Sequence, residues 1–261
     1  MNKREAILPD EIIFGPVKSR LLGNSLGINL LPQASKLCNM NCIYCECGWT
    51  HTKSTKNFKF HGAGDVISNL KRKLKSLKGE GKMPDVITFV GNGEPTLHPE
   101  FDEIIAQALV VRNTYAPRTK VAVLSNAMNL SKPGVTKALM KADLCILKMD
   151  AGTNQMFQRI NQPHSEKKLE KIVKQLSLFR GNLIIQSLFL KGTIQGDPLD
   201  NSDEENLSAW IERLKAVRPS RVFVYTLNHA IPAQGLEKIP KQRLNEIARR
   251  VRVLNIRALV S

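Results

Sequence analysis

Val66, Leu70, Leu74 and Leu77 recur at helical spacing, and Lys71, Arg72, Lys73, Lys75 and Lys78 fall on the other face. An apolar face opposite a basic one predicts an amphipathic helix that ends at Gly79. The next run, Asp85-Val86-Ile87-Thr88-Phe89-Val90, is short, apolar and β-branched, as expected of a buried parallel strand. The alternation continues down the chain. Strands are expected over 119–125, 143–150, 183–190 and 221–226, and helices over 100–112, 132–141, 166–179, 206–217 and 241–254. With a first strand entered through Gly23–Asn29, the pattern gives about six strand–helix units. Alternating β and α implies parallel strands with right-handed crossovers. The expected fold class is therefore α/β, an open partial (β/α)6 barrel. Glycine and proline punctuate residues 1–26, which read as an N-terminal loop or hairpin extension, with 27–261 as the barrel. Residues 191–203 read as a loop.

Composition adds limits. The 261 residues, 42% of them hydrophobic, suffice for one barrel-sized core or two small domains. No apolar run approaches the roughly 20 residues that span a bilayer. Met1-Asn2-Lys3-Arg4-Glu5 lacks the apolar core of a signal peptide. The expectation is a cytoplasmic protein with no membrane partner, whose thiols stay reduced. The net charge of +16 favours a polyanionic partner such as RNA, with a merely solvated basic surface as the alternative.

Candidate chemistry begins at Cys38-Asn39-Met40-Asn41-Cys42-Ile43-Tyr44-Cys45. Three thiolates in one short loop are soft ligands suited to zinc or an iron–sulfur cluster. A structural zinc site takes four ligands, usually from two separated pairs. The five cysteines are these three, Cys47 and the distant Cys145, so there is no second pair. On a four-iron cluster three thiolates leave one iron without a protein ligand. A zinc knuckle and a disulfide set are the alternatives.

Further candidates sit at strand ends, where α/β folds bind ligands. Gly91-Asn92-Gly93-Glu94-Pro95 follows the 85–90 strand, and its glycines allow close backbone approach. Ser125 and Asn126 close the next strand, as site residues or as simple turn caps. Lys148 and Asp150 close the one after, two residues apart and so on one face. A mutual ion pair is their structural alternative. Gln186 and Ser187 lie mid-strand among apolar residues, so one of them is expected to face the barrel interior as a site residue, with a satisfied core polar group as the alternative.

The three cysteines with Tyr44 before the last resemble the cluster loop of the radical S-adenosylmethionine (SAM) enzymes. Gly91-Asn92-Gly93-Glu94-Pro95 resembles the family's GGE motif, Ser125-Asn126-Ala127 its third strand end, and Lys148-Met149-Asp150 its fourth. The resemblance implies a [4Fe-4S] cluster on Cys38, Cys42 and Cys45. It implies SAM on the open iron, among Tyr44, Gly91, Asn92, Gly93, Glu94, Ser125, Asn126, Lys148 and Asp150. An electron from a flavodoxin or ferredoxin would cleave SAM to a 5′-deoxyadenosyl radical that abstracts hydrogen from a substrate.

Gly15-Pro16-Val17-Lys18-Ser19-Arg20-Leu21-Leu22-Gly23, running on to Asn29, is similar to one subgroup, Fe–S oxidoreductases related to the tRNA wyosine-forming synthases. By that likeness the leading substrate is a tRNA base. A peptide or protein, including a glycyl-radical enzyme, is the alternative. Arg20 is either a residue that points toward the active site or an ordinary surface arginine, and Trp49 and His51 are candidates to line the loop. Four positions depart from the subgroup: Cys47, Gln162 where arginine is usual, and His229 and Ala230 in a loop over the barrel mouth. From another class, a non-catalytic metal-stabilised RNA-binding protein would explain the charge and the cysteines but leave the strand-end residues idle.

Overall fold

Short β-branched runs pair into a curved sheet, and the amphipathic segments between them pack on its outside. The computed structural model describes residues 8–50, 58–228, 231 and 233–261. β1 (Ile13–Ser19) and β2 (Gly23–Ile28) form an antiparallel hairpin. From β2 the sheet runs parallel through β3 (Val86–Phe89), β4 (Lys120–Ser125), β5 (Leu144–Lys148) and β6 (Ile184–Ile194). β7 (Asp197–Asp200) pairs antiparallel with the far end of β6, β8 (Arg221–Thr226) continues the parallel sheet, and β9 (Leu236–Lys238) returns to β6. β10 (Arg257–Val260) closes the order β1-β2-β3-β4-β5-β6-β8-β10. The helices are α1 (Ala63–Gly79), α2 (Phe101–Tyr115), α3 (Pro133–Lys141), α4 (Asn154–Asn161), α5 (Leu169–Ser177), α6 (Glu204–Val217) and α7 (Lys241–Val253). The architecture is the expected open α/β partial barrel.

Side-chain alternation splits the core in two. Leu26, Ile87, Val121, Leu147, Ile185 and Val224 face outward and belong to the main core with Leu70, Ile104, Leu139, Ile172, Trp210 and Ile247 of the helices. Fully burying each such side chain contributes about 1.5–3 kcal/mol. Trp210 satisfies its one donor by giving Nε1–H to the Met149 carbonyl at 2.9 Å. The opposite faces of β3 to β8 contribute Val86, Ala122, Ile146, Ile184 and Phe223 to a smaller cluster inside the barrel. Leu21 and Leu22, from the β1–β2 turn, pack against that cluster.

Four features differ from the sequence expectation. The sheet has seven parallel strands, because β10 adds one to the six anticipated. The 191–203 loop is instead the end of β6 and the start of a hairpin with β7. β7 and β9 are short and largely exposed, and pairing with β6 rather than burial of a face places them. α4 is an unanticipated two-turn helix whose Met156, Phe157 and Ile160 are buried. β2 begins at Gly23, so a boundary between residues 26 and 27 falls inside it.

Candidate cluster and cofactor site

The cysteine loop is tied to the barrel by backbone hydrogen bonds from two sides. Leu37 bridges Gly93 as in a parallel ladder: Leu37 N–H donates to Asn92 O at 2.8 Å, and Glu94 N–H donates to Leu37 O at 3.0 Å. Glycine is required at 93, where φ is +137° and a Cβ would lie 1.8 Å from the Leu37 oxygen. On the other side Ile43 N–H donates to Ile160 O at 3.0 Å, and Asn41 N–H to Gln162 O at 3.0 Å. The last carbonyls of α4, which a helix leaves without partners, are thus capped by the cysteine loop. Gln162, in the left-handed region at φ 43°, ends α4 there.

The side chains complete the frame. Glu94 is buried and points into the protein. Its Oε1 accepts from Thr96 N at 3.1 Å, Thr96 Oγ1 at 2.5 Å and Ser125 Oγ at 2.8 Å, and its Oε2 accepts from Asn126 N at 2.7 Å. Burial raises its carboxyl pKa, while these bonds oppose the rise. Asn92 is likewise turned inward, giving Nδ2–H to the carbonyls of Pro9, Pro32 and Gln33. Asn126 reaches the loop, donating to Asn39 Oδ1 at 2.7 Å and to Cys38 Sγ at 3.6 Å.

Opposite them, Tyr44 gives its hydroxyl proton to Asp150 Oδ2. Asn161, at the end of α4, donates to Tyr44 OH at 2.8 Å, Asp150 Oδ2 at 2.9 Å and Cys42 Sγ at 3.5 Å. Asp150 Oδ1 accepts Leu188 N–H at 2.9 Å and lies 3.4 Å from Lys148 Nζ. With its side chain fully buried, Asp150 anchors the cysteine loop to β6, and the ion pair anticipated as its structural role is present. Lys148 keeps 21% side-chain exposure and donates to Tyr225 OH at 2.8 Å. Its ammonium also stands over the Tyr44 ring, 5.1 Å from the centre.

The thiols differ electrostatically. Burial pushes Cys38 up to about 12, reinforced by negative charge at Cys42 and Glu94, and burial raises Cys42 too. Cys45 is lowered to about 5, first by a hydrogen bond from the Cys47 thiol and then by Lys36, while Cys47 is raised by the same bond. Lys36 is buried and donates to Gly48 O at 2.8 Å. Burial thus favours the neutral thiol at Cys38 and Cys42, while the Cys47 hydrogen bond and Lys36 favour the thiolate at Cys45. Among the described residues no three His, Cys, Asp or Glu side chains converge on a single-ion site.

The structure thus gathers Cys38, Cys42, Cys45, Tyr44, Gly91 to Glu94, Ser125, Asn126, Lys148 and Asp150 around one loop. Of the other candidates, Gln186 and Arg20 line a cavity inside the barrel, whereas Ser187 faces outward and bonds Met149 O. Trp49 is half-buried against the main core. His51 and the His229-Ala230 pair lie outside the described residues. Sequence reasoning missed Lys36, Asn39, Asn161 and Tyr225. Only Lys36, two residues before the first cysteine, carried a signal, since it is a cation beside three soft anions.

The family model described as the Radical SAM superfamily matches residues 34–192, more than half of the chain. The chain belongs to the radical SAM superfamily. Members of that family are enzymes that use a [4Fe-4S] cluster and SAM, so these are its cofactors. The site suits them on its own chemistry. It offers soft thiols, two amide donors aimed at cysteine sulfurs and a glycine turn in backbone contact with the loop.

Among curated relatives, this radical SAM chain is 33% identical to a GTPase Obg of Brachyspira hyodysenteriae over 86% of its own length and 31% of that protein's. It is 31% identical to a UPF0026 protein of Methanocaldococcus jannaschii, covering 82% and 63%. The chain thus spans from about a third to under two thirds of these relatives. Among solved structures it resembles a radical SAM methyltransferase from Sphaerobacter thermophilus, with TM-score 0.67, 14% identity, and coverage of 91% of this chain and 65% of that one. It also resembles TYW1 with a lysine-pyruvate adduct bound, with TM-score 0.59, 16% identity, and coverage of 88% and 72%. At these identities the likeness is one of fold. No helix among the described residues is long and apolar enough to cross a membrane.

Proposed function

We propose that Cys38, Cys42 and Cys45 hold the [4Fe-4S] cluster and that this chain carries out hydrogen abstraction from a substrate at the mouth of the barrel. When bound, the cluster and SAM supply a 5′-deoxyadenosyl radical by one-electron reductive cleavage. This chain's residues position and shield that chemistry. Gly93 lets the β3 turn and the cysteine loop share backbone bonds. Glu94, Ser125 and Asn126 lock the β3 and β4 ends together beside the cysteine loop. Lys148 is the partly exposed cation available to an anionic group of SAM. Asp150 and Tyr44 act through the loop they hold. The observation that carries this reading is the docking of the cysteine loop on the Gly91–Glu94 turn.

Oxygen-free reconstitution of wild type and Cys38→Ala tests it, with iron, sulfide and 5′-deoxyadenosine measured under dithionite. Wild type is expected to load about four irons and to cleave SAM, and the variant to do neither. SAM cleavage by Cys38→Ala overturns the assignment. Zinc without iron or sulfide in protein purified free of oxygen supports the metal-stabilised RNA-binding reading instead.

For the substrate we favour an RNA, in the first place a tRNA base, over a peptide. The support is the net charge of +16 and the basic face of α1, where Lys71, Arg72, Lys75 and Lys78 are exposed. Bulk tRNA should bind at low salt and lose affinity steeply as salt rises. Failure to bind even at low salt favours the peptide. The electron would come from a flavodoxin or ferredoxin.

A further inference from the structure

Inside the barrel lies a cavity of about 100 Å³. Leu124, Ile146 and Phe223 make its apolar wall, and Ser19, Arg20, Gln186, Tyr225 and Ser261 its polar one. Arg20 comes from the β1–β2 turn, the same turn that drives Leu21 and Leu22 into the barrel. Its guanidinium sits 5.9 Å from the centre of the Tyr225 ring. Lys148 Nζ sits 5.3 Å from that same centre and donates to the Tyr225 hydroxyl. Lys148 also stands over Tyr44 of the cysteine loop. A chain of direct contacts thus runs from the loop through Lys148 and Tyr225 to Arg20.

The side-chain charge around this cavity is one-sided, although the Gln186 amide and the Ser19 and Ser261 hydroxyls both donate and accept. A guanidinium carries five N–H donors and no acceptor. Arg20 is exposed and, among the described residues, meets the Tyr225 ring but no Asp or Glu side chain. The Gln186 side chain has no partner among them. The Tyr225 oxygen accepts from Lys148, which leaves its proton to give. No Asp or Glu side chain lines the space. Arg20 is exposed, so water serves its guanidinium when the cavity is empty, and a neutral apolar occupant would gain nothing from it. An occupant with negatively charged oxygens would accept charge-assisted bonds from it. The cavity is far smaller than the roughly 300 Å³ of an ordinary small-molecule pocket, so it accommodates a group rather than a whole molecule.

We propose that this cavity binds a carboxylate or phosphate group of the substrate, and that Arg20 selects for it. The proposal rests on the radical SAM reading above and specifies the substrate as an anion-bearing molecule. Lys148 stays with SAM and the loop, and Arg20, on the far side of Tyr225, reads the substrate.

The test uses cluster-loaded, SAM-saturated protein at low ionic strength. Inorganic phosphate and acetate, the two probes, are titrated separately by calorimetry into wild type, Arg20→Gln and Arg20→Lys. Wild type should bind at least one anion, and the preferred probe distinguishes phosphate from carboxylate. Arg20→Gln should weaken that binding at least tenfold, about 1.4 kcal/mol, and Arg20→Lys should restore part of it. Equal affinity in wild type and Arg20→Gln, or no binding of either anion to wild type, overturns the proposal. Binding seen only when SAM is left out also overturns it, because the cavity then belongs to the SAM carboxylate. Iron content and SAM binding are read on the same samples. Wild type lacking both refutes the radical SAM reading, whereas Arg20→Gln retaining both with unchanged anion affinity refutes this one alone.

Discussion

Gly93→Ala is the sharpest test of how the cysteine loop is held. At φ +137° an alanine is strained, and its Cβ would stand 1.8 Å from the Leu37 oxygen and 2.5 Å from the Leu37 carbon. Both are backbone atoms, so no side-chain rotation relieves the clash, and the loop must retreat by more than an ångström. That movement breaks the bonds from Leu37 N to Asn92 O and from Glu94 N to Leu37 O. Two backbone bonds at about 1 kcal/mol each add to about 1–3 kcal/mol of backbone strain. The total, about 3–5 kcal/mol, is a large share of the 5–15 kcal/mol that usually holds a domain together. Because the cost falls on the loop, metal loading should fail before the fold does. The assay is iron and sulfide per chain after oxygen-free reconstitution, with the thermal midpoint of the same samples. Gly93→Ala should retain under half of the wild-type iron and melt several degrees lower. Gly64→Ala, where a Cβ meets nothing within 4 Å, is the control and should match wild type in both. Wild-type iron and an unchanged midpoint in Gly93→Ala would refute the reasoning.

Three further outcomes follow from the geometry. Asp150→Ala strands the Tyr44, Asn161 and Leu188 donors and the Lys148 charge, and should cost about 3–5 kcal/mol in urea unfolding; a loss under about 1 kcal/mol contradicts the anchoring role. Burial lowers the His98 pKa, so the folded state takes up its proton less readily than the unfolded chain. Stability should therefore fall as pH drops below about 6.5, and His98→Gln should flatten that acid limb; an identical pH profile in the variant argues against it. Burial also pushes Cys145 up to about 12, leaving it a protonated core thiol. Mass spectrometry after brief alkylation at neutral pH should find Cys145 unmodified in the native protein and modified in urea; rapid native labelling would show the site is open.

Legibility in the sequence followed the physics of each element. β3, β4, β5 and β8 were readable because apolar strands buried on both faces stand out from their flanks. β10 was not, because Arg257–Val260 is an only partly buried edge strand with little apolar contrast, set off from α7 by Asn255 in the left-handed region. β7 and β9 carry little apolar signal, and only tertiary pairing with β6 makes them strands. In the site, cysteines and glycines spoke for themselves through ligand chemistry and backbone freedom. For the two buried carboxylates the sequence offered the Lys148–Asp150 ion pair but none of their other partners. Whether Glu94 and Asp150 face a ligand or the protein depends on Ser125, Asn161 and Leu188, between 11 and 38 residues away in the chain. Asn161 gave no warning, since asparagine at a helix end usually does nothing more than stop it.

The carbonyls of α4 that receive the Asn41 and Ile43 amides, with the Leu37 ladder opposite, have a consequence for biogenesis. A loop clamped from both sides takes its shape from the polypeptide, in contrast to zinc-finger peptides, which acquire order only with their ion. Synthesis and iron delivery can then be separate events. On the ligand assignment proposed above, an empty chain would hold the loop in shape until a cluster is delivered. Losing the inorganic centre to oxygen would leave a scaffold ready for repair rather than a substrate for proteases.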